Sequence, residues 1–268
     1  MNSIEHSDES GTWVLAATGF TTPIEDAGPK VIKTCVCPEL GYWCAEYITE
    51  EMKKNLSTPQ GIKLKALVSE AFSPIAMAQS LSWWQKPLIT MQPGLIPALM
   101  AKKQANAMLY WKSLVGYRCI WDHKPYLEKK LKEKLASSGF EITSKQWRWS
   151  KLNNFDYFYD IWSNIHYGYI GYHAGFFAEI LKGGASVAQL LQDLKKGHMQ
   201  FHFSNGWPIN DFDDITDQIS ICIGIELAKR KNPEDLSISD LLLLIEEVPV
   251  PWGDNASQAK REHECLSR

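Results

Sequence analysis

Apolar residues recur at helical spacing along most of the chain, and they predict the order of its elements. The pattern indicates helices at 41–56, at 63–84 with an interruption at Pro74, at 94–115 and at 126–138, the last ending at Gly139. Further helices are predicted at about 156–181 in one or two pieces, and at 186–197, 210–230 and 237–248. Little strict alternation indicates strands. We therefore predict a mainly α, compact helical fold, for which a lysozyme-like arrangement is one option, with a loop-rich N-terminal segment.

Three details refine the predicted helices. Gly168, Gly171 and Gly175 fall on roughly one side of the helix at 156–181, and each glycine costs helix stability relative to alanine, so another backbone should pack closely there. Ser237 and Asp240 are three residues apart, which indicates a variant capping box. For the helix at 210–230 the pattern predicts a buried stripe of Ile215, Ile219, Cys222, Ile223 and Leu227.

The organisation predicted from these elements has three parts. Residues 1–104 form a loop and helix segment for delivery or packing, residues 105–250 form the domain with the candidate chemistry, and residues 251–268 form a polar tail. The N-terminus lacks the basic and apolar regions of a secretory signal, and no apolar run is long enough to span a bilayer. We expect a chain made in the cytoplasm without a signal peptide and without membrane insertion.

Composition narrows the functions that fit. The net charge is −3 and the basic residues are dispersed, which argues against a dedicated nucleic-acid binder without excluding a nuclease. The chain has 11 Trp, 10 Tyr and 10 Phe, and such rings serve cores first and sugar stacking second. Cys35, Cys37 and Cys44 cluster, but C-x-C-x6-C lacks the paired C-x2-C spacing of zinc sites. We predict a local disulfide or free thiols there, with no metal and no cofactor.

The first candidate motif is W-D-H-K-P at 121–125. Proline biases the residue before it toward an extended backbone, and in an extended stretch Asp122 and Lys124 share a face while His123 points away. Such a pair could position an anionic or polyhydroxylated substrate. It could equally be a salt bridge that closes a turn.

The second motif is Y-D-I-W-S-N-I-H-Y-G-Y-I-G at 159–171. On a helix Asp160 and Asn164 are neighbours at i and i+4, and Tyr167 lies one turn further along. An acid held among rings is a candidate proton donor, because desolvation favours its protonated form. The alternative is that Asp160 caps a helix and Asn164 binds backbone in a tight core. His166 is expected to face another side.

The third motif is a group of aspartates at 211–217, which are Asp211, Asp213, Asp214 and Asp217. They could supply a second carboxylate to the site or bind a divalent cation. They could also be an acidic helix start that complements the helix dipole.

In combination, these three motifs closely resemble the polymorphic toxin type 44 domain of bacteria over about residues 105–230. The resemblance implies a toxin domain of secreted interbacterial weapons, often delivered by type VI machinery on a spike or adaptor and neutralised by a cognate immunity protein. The family's recurring polar positions fall on Asp122, Lys124, Asp160, Asn164, Tyr167, Gly168, Asp213, Asp214 and Asp217. Some family members carry Glu in place of Asp160 and Asn in place of His166, which argues against an obligatory histidine.

The sequence leaves three functions open. The first is a hydrolase of peptidoglycan glycan in the target periplasm, with Asp160 as acid and Asp122 or an aspartate at 213–217 as partner. The second is an RNase in the target cytoplasm, with His123 or His166 as base, and the third is a non-enzymatic, aromatic-rich adaptor. The candidate catalytic residues are Asp122, Lys124, Asp160 and Asp214. The candidate substrate-binding residues are Trp121, Trp162, Asn164, His166, Tyr167, Asp213 and Asp217.

Overall fold

The computed structural model describes residues 35–82, 95–139, 146–182, 215–253 and 258–265. Residues 36–268 form one compact unit; of the other unit, residues 1–35, the structure describes Cys35 alone. The predicted helix at 186–197 and the aspartates at 211–214 lie outside the described residues.

The described part of the chain is mainly helical, as predicted. Its first helices are α1 (Leu40–Asn55), α2 (Pro59–Phe72), α3 (Pro74–Ser80), α4 (Leu95–Val115) and α5 (Lys124–Ser137). The later helices are α6 (Ile161–Ala174), α7 (Ala178–Lys182), α8 (Ile215–Arg230) and α9 (Ile238–Glu247). Pro59 and Pro74 each occupy the first turn of a helix, where the missing N–H costs nothing, and the capping box of Ser237 and Asp240 is present. The helix predicted from residue 156 starts five residues later, at Ile161, because strand structure precedes it.

A small antiparallel sheet accompanies the helices. Its strands are β1 (Trp149–Leu152), β2 (Phe155–Phe158) and β3 (Lys260–Glu262), in the order β1-β2-β3. Asp156 of β2 stands opposite Arg261 of β3. Part of the predicted polar tail therefore belongs to the sheet. Trp252 and Ala259, which precede β3 in the same segment, are almost fully buried.

Helix α6 lies at the centre of this unit and packs against α1, α2 and α8. Its crossing with α8 brings backbone onto backbone at Gly168, as predicted, whereas Gly171 and Gly175 face the side chains of Leu181 and Val68. A Cβ on Gly168 would lie 2.2 Å from the carbonyl oxygen of Ile221, and a Cβ on Gly224 would lie 2.0 Å from that of Ile165. Gly175 ends α6 with φ of 103°, a conformation that favours glycine.

The stripe predicted for α8 is correct at two positions and wrong at two others. Ile223 and Leu227 are buried, whereas Ile215 and Cys222 are exposed. The helix turns Gly224 toward α6, so the buried face centres on that glycine rather than on the largest apolar side chains. Among the described helices, none combines the length and the apolarity that a membrane crossing requires.

Candidate active site

The first two motifs meet through one ion pair. Lys124 Nζ lies 3.8 Å from Asp160 Oδ2, and the two side chains are 35% and 19% exposed. Asp160 is the N-cap residue of α6, but its side chain makes no capping hydrogen bond to the helix. Its carboxylate therefore lies at the N-terminus of α6, on the side of Lys124, the first residue of α5.

Lys124 reaches this position because it begins a helix. The prediction of an extended Lys124 is wrong: Pro125 occupies the first turn of α5, and His123 before it already has helical dihedral angles. The carboxylate of Asp122 accepts hydrogen bonds from the backbone N–H of Arg118 at 2.8 Å and of Lys124 at 3.2 Å. Asp122 thus closes the turn that presents Lys124.

The second and third motifs meet through a hydrogen bond. Asn164 Nδ2 donates to Asp217 Oδ1 at 2.5 Å, which joins α6 to the start of α8. Lys124–Asp160 and Asn164–Asp217 are thus two bonded side-chain pairs, and the backbone N–H of Asn164 donates to the carbonyl oxygen of Asp160 at 3.1 Å. These four residues are called here the polar row. Asp213 and Asp214 precede α8 and lie outside the described residues.

Two residues that the sequence analysis did not select border the polar row. Burial first, and then the charge of Asp160, raises the pKa of Tyr159, with Glu128 and Asp122 acting in the same direction. Tyr159 therefore keeps its proton and can donate a hydrogen bond. Glu128 follows Lys124 by four residues on α5, and this i, i+4 spacing is the signal that could have identified it.

The two histidines of the motifs form a buried pair behind the polar row. The rings of His123 and His166 meet edge-on at 4.2 Å, and they are 3% and 0% exposed. Each is held by a residue of α1: the hydroxyl of Tyr47 lies 2.9 Å from His123 Nδ1, and Asn55 Nδ2 lies 2.9 Å from His166 Nε2. Among the described residues, neither His123 Nε2 nor His166 Nδ1 has a hydrogen-bond partner.

Burial determines the charge state of this pair. It lowers the pKa of His123 to about 4, against smaller opposing effects of Glu51 and Asp122. It also lowers the pKa of His166 well below the ordinary value, and the charge of His123 adds to that effect. Both imidazoles are therefore neutral at neutral pH and have little contact with solvent.

The predicted substrate-binding rings lie mostly inside the protein. Trp121 is 4% exposed and packs edge-on against Trp111, and Trp162 is 0% exposed, with its indole N–H donating to Ser150 Oγ at 3.2 Å. Tyr167 is half-buried, with its ring centroid 5.0 Å from that of Trp111. In this structure the two tryptophans present no ring face to solvent.

The chain was compared with family models, with curated proteins and with solved structures. No curated protein and no solved structure matches it. The model of one family, Bacterial toxin 44, matches residues 110–230. That range contains W-D-H-K-P, the second motif and the aspartates at 211–217, so the resemblance predicted from these motifs is confirmed. Residues 110–230 match a bacterial toxin family, and this match supports a toxin effector.

Proposed function

We propose that this chain is an antibacterial effector toxin that hydrolyses the glycan of peptidoglycan. The observation that carries the proposal is the polar row, in which three separate motifs bring an ion pair and a bonded amide–carboxylate pair together. Hydrolysis of a glycosidic bond uses two carboxyl groups, one to protonate the leaving oxygen and one to act as base or nucleophile. The start of α6 and the start of α8 each contribute one carboxylate to the polar row, Asp160 and Asp217, which supports this proposal.

The surroundings of Asp160 favour one of these two roles. An ammonium group stabilises a carboxylate in its ionised form, and Lys124 Nζ is 3.8 Å away. We therefore assign Asp160 the role of base or nucleophile, in place of the acid role expected from the sequence. The proton donor is then one of the aspartates at 213–217, of which the structure describes Asp217, bonded to Asn164.

Neutral donors and exposed rings would complete the binding of a sugar chain. The protonated hydroxyl of Tyr159 is next to the polar row and can donate to a sugar oxygen. Tyr117 and Tyr126 flank W-D-H-K-P along the chain and are 81% and 41% exposed. They replace the buried Trp121 and Trp162 as the rings proposed to stack on sugar.

The histidine pair argues against the RNase alternative. A histidine base must reach a hydroxyl of the substrate within hydrogen-bond distance. His123 and His166 are almost fully buried and are bonded to Tyr47 and Asn55. Both rings therefore fit a role in the core better than contact with RNA.

The direct test incubates the purified chain with peptidoglycan sacculi and, separately, with total bacterial RNA. The wild type should release soluble glycan fragments and leave RNA intact. Asp160→Asn should lower that release by about 10²–10⁴-fold, the usual effect of losing an acid–base group, while asparagine remains a suitable N-cap residue. Asp160→Glu keeps a carboxylate and should keep part of the activity.

The matched control is Asp235→Asn, the same change at an exposed turn residue, which should leave the activity unchanged. Degraded RNA with intact sacculi would establish the RNase instead. Intact RNA and intact sacculi, with every variant equal to the wild type, would favour the non-enzymatic adaptor.

The site of toxicity provides a second, cellular test. A wall hydrolase should kill bacteria when it is exported to the periplasm and should be tolerated in the cytoplasm. We further propose that a secretion-system spike or adaptor delivers the chain and that a cognate immunity protein neutralises it. Co-expression of a candidate immunity protein should then restore growth, and growth arrest by the cytoplasmic form alone would contradict the wall target.

A further inference from the structure

Two short motifs of metal-binding residues lie at opposite ends of the described chain. One is C-V-C at 35–37, and the other is H-E-C at 263–265. The antiparallel pairing of β3 with β2 brings the second motif into the fold, and the backbone N–H of His263 donates to the carbonyl oxygen of Asn154 at 2.9 Å. The Cys37 sulfur and a ring nitrogen of His263 then lie within 4.8 Å of each other.

The ring of His263 is held in one orientation. Its Nδ1 lies 2.7 Å from Asp156 Oδ1, and both side chains are only 8% exposed. A histidine that binds a metal commonly gives its other ring nitrogen to a carboxylate, which fixes the tautomer and the direction of the ligand nitrogen. With Nδ1 bonded to Asp156, an ion would bind His263 through Nε2.

We propose that Cys37 and His263 are two ligands of a zinc ion, with Cys265 as a third. Thiolate sulfur and imidazole nitrogen are the donors that zinc prefers, and three protein ligands with one further position are a known zinc arrangement. Cys265 stands two residues from His263, and in extended backbone such residues point to the same side.

The distances suit an ion with modest adjustment. Zinc binds sulfur at about 2.3 Å and nitrogen at about 2.0 Å, so two ligands of a tetrahedral ion are roughly 3.5 Å apart. The separation within 4.8 Å between Cys37 and His263 can close to that value by small side-chain rotations. Cys37, Asp156 and His263 also line one surface cavity, which gives an ion access.

Cys44 does not belong to this site, although it lies closest to the C-x-C motif in the sequence. It is fully buried in α1, and that burial raises the pKa of its thiol, so it stays protonated. Zinc binds the thiolate. The sequence did not predict the site because the ligands that join Cys37 come from the other end of the chain and not from Cys44.

The site also has a clear structural effect. It would connect the chain before α1 to the residues after β3, beside Asp156 of β2. All three ligands lie outside residues 110–230, so the ion would stabilise the fold and take no part in the toxin chemistry.

The test measures zinc in the full chain purified under reducing conditions. Elemental analysis should find one equivalent per chain, and cobalt added after chelation should give the absorption bands of tetrahedral thiolate coordination. Cys37→Ser and Cys265→Ser should lower the affinity for zinc strongly. Asp156→Asn keeps every ligand and should lower it by about 10–100-fold.

Cys222→Ser is the matched control, because Cys222 is an exposed cysteine on α8 outside both motifs, and it should retain the full equivalent. The chelated wild type should melt at a lower temperature than the zinc form, while chelation should not shift Cys37→Ser. A reduced chain with no bound zinc and no cobalt spectrum would overturn the proposal. Equal zinc content in the wild type and Cys37→Ser would also overturn it.

Discussion

The close crossing of α6 and α8 supports a quantitative prediction about Gly224. A Cβ at this position would lie 2.0 Å from the carbonyl oxygen of Ile165, 2.8 Å from the backbone nitrogen of Tyr169 and 2.9 Å from the carbonyl carbon of Ile165. All three atoms belong to the backbone of α6. No side-chain rotation can therefore relieve the contact, and in Gly224→Ala the two helices must move apart.

Two opposing effects set the size of the change. Alanine is a better helix former than glycine by about 1 kcal/mol, which alone would stabilise α8. Carbon and oxygen atoms in contact need about 3.3 Å, so the helices must separate by roughly 1 Å, and overpacking of this kind costs about 1–3 kcal/mol or more. Because the contact is with rigid backbone, we expect the upper part of that range and a net loss of about 2 kcal/mol.

Thermal unfolding followed by circular dichroism measures the result. A loss of this size should lower Tm by about 4–8 °C for a chain of this length. Cys222→Ala on the same helix is exposed and should change stability by less than about 0.5 kcal/mol. The separation should also weaken the bond from Asn164 to Asp217, so toxin activity should fall. A Gly224→Ala variant that melts at or above the wild-type temperature would refute the close crossing.

Two further predictions concern the histidine pair and the last helix. Because the pKa of His123 is about 4 in the folded chain and about 6.5 when unfolded, the unfolded chain takes up the proton first as pH falls. The contribution of His123 to the free energy of unfolding should thus be fully present above pH 6.5 and should fall by up to about 3 kcal/mol toward pH 4. His166 acts in the same direction. Denaturant titrations of the wild type and of His123→Phe should therefore give free energies of unfolding that diverge over this pH range. Ser237→Ala removes the capping box of α9 and should lower the free energy of unfolding, measured with denaturant, by about 1 kcal/mol. The control Ser113→Ala, inside α4, should leave that free energy nearly unchanged. Equal losses in the two variants would contradict the role of the cap.

The helices were predictable because their signals are local. Apolar spacing, proline in the first turn and the Ser237–Asp240 pair act within one or two turns of chain, and each marks an element that the structure contains. The exposed Ile215 and Cys222 were not predictable in the same way. The orientation of α8 depends on where Gly224 meets α6, which is a contact between distant parts of the sequence.

The sheet was missed because its burial pattern does not follow hydropathy. In β1 the polar Ser150 is fully buried, bonded to Tyr157 and Trp162, while Trp149 is only half-buried. Side chains along β1 therefore alternate between buried and half-buried positions, but they do not alternate between apolar and polar residues. The turn carried a usable signal, since Asn153 adopts φ of 54° and asparagine is among the residues that favour that conformation in tight hairpins.

The composition of the candidate site was predictable, but its pairing was not. Sequence spacing placed Asp160 and Asn164 on one helix face, and nothing local indicates that their partners are Lys124 and Asp217. The second bond exists because α6 packs against α8, and the first because Lys124, at the start of α5, lies next to Asp160, at the start of α6. Three motifs that could each have been structural alone thereby contribute to two pairs of polar side chains on α6.

The same packing decides what the histidines do. W-D-H-K-P and the second motif each present an imidazole that could act as a base, so the sequence kept a histidine-dependent RNase open beside the carboxylates. Tyr47 and Asn55, from a helix that precedes both motifs, bond to these rings and bury them in the neutral form. Lys124 and Asp160 remain partly exposed as an ion pair, so the chemistry proposed for this face uses a carboxylate and its cation. That division favours hydrolysis of a glycosidic bond over histidine-dependent cleavage of RNA.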